Sequence, residues 1–63
     1  MSKNARGYVQ DSCTSLNQAK ASLEQALQTV EKDSNRERIE QSLQAVEQAL
    51  GTCDSTASTL SQT

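Results

Sequence analysis

The feature that most constrains this 63-residue chain is a stripe of apolar residues that advances in steps of three and four and changes phase once. In the first half it runs through Val9, Cys13, Leu16, Leu23, Leu27 and Val30, with Lys20 in a slot of its own. Ile39, Leu43, Val46, Leu50, Cys53, Ala57 and Leu60 step in the same way in the second half. Such spacing places the residues on one side of an α-helix. The first stripe is also written in heptads, since Ser15-Leu16-Asn17-Gln18-Ala19 recurs seven residues later as Ser22-Leu23-Glu24-Gln25-Ala26. Leu27 and Leu43 hold equivalent positions but lie 16 residues apart, two more than two heptads. One unbroken helix would swing the second stripe round by roughly 200° at ~100° per residue, so the chain is expected to turn.

The break falls at Lys32-Asp33-Ser34-Asn35, a run of poor helix formers. Ser34-Asn35-Arg36-Glu37 has the form of a capping box, in which the Ser34 hydroxyl accepts from the Glu37 backbone N–H and the Glu37 carboxylate reaches back. These signals predict one helix over about 5–32, a turn at 32–35 and a second helix over about 35–60, frayed after Gly51 where Ser and Thr accumulate. All of residues 1–63 then form a single domain.

A tight turn makes the helices antiparallel neighbours. Pairing Val9 with Ala57, Cys13 with Cys53, Leu16 with Leu50, Lys20 with Val46, Leu23 with Leu43 and Leu27 with Ile39 gives six layers in one register, each joining a heptad a position to a d position. The expected fold is therefore all-α, an antiparallel coiled-coil-like hairpin with Val9, Leu16, Leu23, Leu27, Val30, Ile39, Leu43, Val46 and Leu50 in its core. The g positions beside this seam are all small: Ser12, Ala19 and Ala26 on helix one, Ser42, Ala49 and Thr56 on helix two. They form the candidate interaction face, because small residues let another helix approach closely, and two hairpins joined there make a four-helix bundle. The same residues would equally serve helix propensity and solubility.

Three states are open to Cys13 and Cys53, which share a layer. They can be buried thiols, partners in a disulfide closing a loop of about 40 residues, or sites of intermolecular bridging or metal binding. Two thiolates in a chain without His fall short of the four ligands of a structural zinc site, so no metal is expected. Lys20 is either an edge-exposed residue or a polar core residue that sets register, with Glu24 and Glu47 in reach of its ammonium.

Composition closes several other routes. The chain has no Pro, His, Trp or Phe and a single Tyr, which argues against strands and against an aromatic-lined pocket. Eight acidic and six basic residues are intermixed, for a net charge of −2, so no basic stripe is available for nucleic acid. Apolar runs of two or three residues exclude a membrane span, which needs ~20. The first residues contain no apolar leader segment, which makes the cytoplasm the expected compartment. Catalysis lacks an imidazole and a Gly-rich phosphate loop, and the carboxylates Asp11, Glu24, Glu31, Glu40, Glu47 and Asp54 fall mainly on outer or flanking positions. No enzyme activity and no cofactor are expected.

Ser15-Leu16, Ala19, Ala21-Ser22-Leu23-Glu24 and Ala26-Leu27-Gln28-Thr29 together resemble a family of uncharacterised short proteins of spore-forming Gram-positive bacteria, which carry a similar run in a helix. The resemblance covers about 15 residues of helix one and fades in helix two. It implies a bacterial helical protein linked to sporulation, with no functional residues to carry over.

The function expected from these residues is a non-enzymatic hairpin module that acts as adaptor or inhibitor through helix contacts, with a protein partner or with itself as a homodimer. A self-assembling structural protein and a thiol redox or metal-responsive switch are the competing classes.

Overall fold

In a computed structural model of the chain, residues 4–62 are described, while Met1–Lys3 and Thr63, which the single-domain reading takes in, lie outside them. Two helices, α1 (Ala5–Thr29) and α2 (Asp33–Ser61), form an all-α hairpin, 46 × 21 × 12 Å in extent. α1 begins where Asn4, itself extended, accepts the Gly7 N–H on its side-chain oxygen at 2.9 Å, satisfying one of the donors that a helix start leaves free.

The register is pinned at three places. Cys13 and Cys53 are joined in a disulfide with their Cα atoms 5.7 Å apart. Midway along, the Lys20 ammonium lies 3.9 Å from the Glu47 carboxylate, one residue beyond its layer partner Val46. At the turn, the Arg36 guanidinium donates to the carbonyls of Leu27 at 3.1 Å and Val30 at 3.3 Å. The expected core residues Val9, Leu16, Leu23, Leu27, Val30, Ile39, Leu43, Val46 and Leu50 are all half-buried. Among the described residues Cys13, 9% exposed, is the one buried hydrophobic, as befits a two-helix layer whose seam is open to solvent above and below.

The turn differs from expectation. It occupies Val30–Lys32 rather than 32–35, and Ser34 lies inside α2 instead of capping it. Lys32 is the N-cap and makes no side-chain cap bond. The reason lies in Arg36: starting α2 at Asp33 sets Arg36 opposite the end of α1, where its fork holds two of the carbonyls that a helix C-terminus leaves unpaired. Two charge-assisted bonds outweigh the one or two of a capping box. Asp33 in the first turn of α2 also meets the positive end of the helix dipole.

The far end of α2, at Ser61, falls where expected, and the helix is continuous past Gly51, after which fraying was expected. The stripe continues there through half-buried Cys53, Ala57 and Leu60. The Thr56, Thr59 and Ser61 hydroxyls donate to carbonyls four residues back at 3.0, 3.1 and 2.9 Å, so their donors are satisfied within the helix.

Candidate interaction face

The hairpin has two broad sides, and helical geometry sorts the seam between them. At ~100° per residue an a position lies about 40° from the e position next to it and a d position about 40° from the neighbouring g. The a and e residues therefore lean to one side, the d and g residues to the other. The Lys20 contact with Glu47, an a residue reaching an e residue across the seam, matches that division.

The two sides carry opposite chemistry. Arg6, Lys20 and Arg36 occupy a positions, and Glu24, Asp33, Glu40, Glu47 and Asp54 occupy e positions. The last four recur every seven residues along α2, and all five carboxylates are exposed. On the other side no d or g position of either helix holds a charged residue. Its middle is the aliphatic row Val9, Leu16, Leu23, Ile39, Val46 and Leu60, each half-buried. Its borders are the small residues of the candidate face: Ala19 and Ala26 are half-buried, and Ser12, Ser42, Ala49 and Thr56 are exposed. The row is half-open, as are Leu27, Leu43 and Leu50 on the charged side, so what sets this side apart is its lack of charge and its short borders.

The hydroxyls on this side are turned inward. Ser12 donates to the Tyr8 carbonyl at 3.2 Å, Ser42 to Arg38 at 3.1 Å and Thr56 to Thr52 at 3.0 Å. Each donor has a partner on its own helix, so covering the face with apolar atoms does not strand it. Tyr8, an exposed large hydrophobic at 60%, stands in the c position next to this border. The division by charge was missed in the sequence, although the heptad positions contain it; only a seam residue's lean, and not its number, shows which flank it joins.

The disulfide decides among the three states of the cysteines. The Cys53 Sγ sits 3.4 Å from the Val9 carbonyl oxygen; a sulfur bonded to sulfur has no proton to donate, so this is a van der Waals contact in the oxidised chain. Among the described residues no three His, Cys, Asp or Glu side chains are grouped to hold a metal ion. A shallow open depression near the termini is lined by Asn4, Ala5, Arg6 and Leu60. No helix among the described residues is long and apolar enough to cross a membrane. No protein-family model matches the chain, and no curated protein or solved structure does either.

Proposed function

We propose that the chain is a disulfide-stapled helical-hairpin module, without enzymatic activity, that acts as adaptor or inhibitor through helix contacts, its uncharged d/g side being the docking face for the helices of a partner. The observation that carries this reading is the absence of charge from every d and g position beside a half-open aliphatic row, with Arg38 the one charged residue at the c positions that border it. Helix-in-groove recognition uses such a row as its anchor and small flanking residues for close approach. The experiment is retention of proteins from the native cell on the immobilised chain, compared with Ala49→Glu on the uncharged side and Glu40→Gln on the charged side. A partner held by the native chain and by Glu40→Gln but lost with Ala49→Glu supports the module. Retention indifferent to Ala49→Glu refutes it.

The Cys13–Cys53 bond favours a second reading, a thiol redox switch. Reduction by a cellular dithiol adds two electrons and two protons to the bond, and the freed Cys53 thiol can then donate to the Val9 carbonyl 3.4 Å away. In a reducing compartment such as the cytoplasm expected from the sequence the pair is held open, and in an oxidising compartment it is closed, as the stapled module requires. Alkylating free thiols at the moment of cell lysis separates the two: a chain found wholly in one state under all growth conditions removes the switch.

A further inference from the structure

We infer that the occupant of the uncharged side is a second copy of this chain, giving a closed, two-fold dimer of hairpins with the charged sides outward. The inference rests on the reading of that side as a docking face and names what docks.

Four observations point to a like partner. The side carries no charge at its d and g positions and a single charged residue, Arg38, at the c positions beside them, so it offers no charged patch to an oppositely charged surface and sets no row of like charges against its own copy. Leu16, Leu23, Ile39 and Val46 lie half-open along its middle, with Ala19 and Ala49 low enough at the borders for helices to approach to the ~8–10 Å of ordinary packing. The border hydroxyls of Ser12, Ser42 and Thr56 are already bonded to their own helices and keep those donor bonds on burial. The dimensions also allow it: extents of 46 and 21 Å bound one side at about 970 Å², so two sides in contact have room for the ~1,200 Å² at which stable interfaces begin. Association through the other side would instead dehydrate the Asp33, Glu40, Glu47 and Asp54 row along with three cations. A face that matches itself closes as a pair about a two-fold axis rather than as an open chain.

Sedimentation equilibrium of the full chain with its disulfide closed, at tens to hundreds of micromolar, tests this. The expected mass is twice the 6.8 kDa of the chain and does not fall as salt is added, because salt screens the repulsion between two chains of net charge −2 and leaves apolar contacts in place. Ser42→Glu combined with Ala49→Glu, both at exposed positions, weakens the pair by about a hundredfold or more, with helicity and the disulfide intact. Glu40→Gln leaves the mass as it was. A native chain that stays at the single-chain mass overturns the proposal. So does a pair that survives both glutamates, or a mass that falls as salt is added or climbs past two chains with concentration. Should the native chain be single while a cellular partner is still lost with Ala49→Glu, the docking face stands and only its occupant is wrong.

Discussion

The hairpin is closed twice, by different chemistry at its two ends. Near the termini the Cys13–Cys53 bond joins the helices covalently. At the turn the Arg36 guanidinium ties α2 to the last carbonyls of α1 by two hydrogen bonds. The two closures constrain different things. A cross-link between residues 40 positions apart acts mainly by reducing the freedom of the unfolded chain, which loses little from a tie between near neighbours. Arg36 acts on the folded state, because Val30 is only six residues away and the carbonyls it satisfies exist as orphans only once α1 has formed.

That difference sets the first and largest expected effect. Replacing Cys13 and Cys53 with Ala removes the cross-link of a 40-residue loop and lowers stability by about 4 kcal/mol on the chain-entropy estimate. For a domain this small that is a large share of the whole, so thermal unfolding followed by circular dichroism should show the doubly substituted chain largely unfolded at ambient temperature. Retention of the native melting temperature would mean that the seam and the turn hold the hairpin unaided, and the two ends would exchange rank.

How much of this was legible follows the same division between local and tertiary causes. The hairpin and its Cys13–Cys53 layer could be read because Leu16, Leu23, Leu43 and Leu50 repeat in heptads and the two cysteines fall in one layer of the register. The pairing state of those cysteines could not, since one spacing suits two thiols or a bond. The turn was misplaced because Ser34 and Glu37 form a good local signal, and the competing gain, Arg36 reaching the end of α1, exists only after the helices pack. Register already set Arg36 opposite Val30 in a further layer, which was the overlooked clue. The small border of the candidate face, from Ser12 to Thr56, was legible from heptad position. Its uncharged character as a whole side needed the lean of a and d residues, which the Lys20–Glu47 contact reveals.

The second expected effect probes the turn. Arg36→Met keeps the stem that packs along the seam and removes both bonds, leaving two part-buried carbonyls without their donor. Stability should fall by about 1–3 kcal/mol, less than at the cysteine end. Arg36→Lys should recover only part of the loss, because an ammonium cannot fork to Leu27 and Val30 together. Equal melting temperatures for the Met and Arg chains, measured at one protein concentration, would show the clamp to be idle and leave the disulfide as the main closure.

The smallest effect lies at the helix starts, where the turn end can be strengthened instead of broken. Asn4 and Lys32 both precede their helices in extended geometry, with φ of −89° and −88°. Asn4 caps α1, whereas Lys32 brings a cation to the positive end of the α2 dipole and caps nothing. Lys32→Asn should therefore supply the missing acceptor for a first-turn N–H and stabilise the hairpin by about 1 kcal/mol, a rise of roughly 4–8 °C in melting temperature for a domain of this size. The gain should be the same with the disulfide closed or reduced, because a cap acts within the first turn of one helix while the cross-link acts on the unfolded chain. A gain present only in the reduced chain would instead show that the covalent closure already dictates the geometry of the turn, and the two ends would be one coupled device.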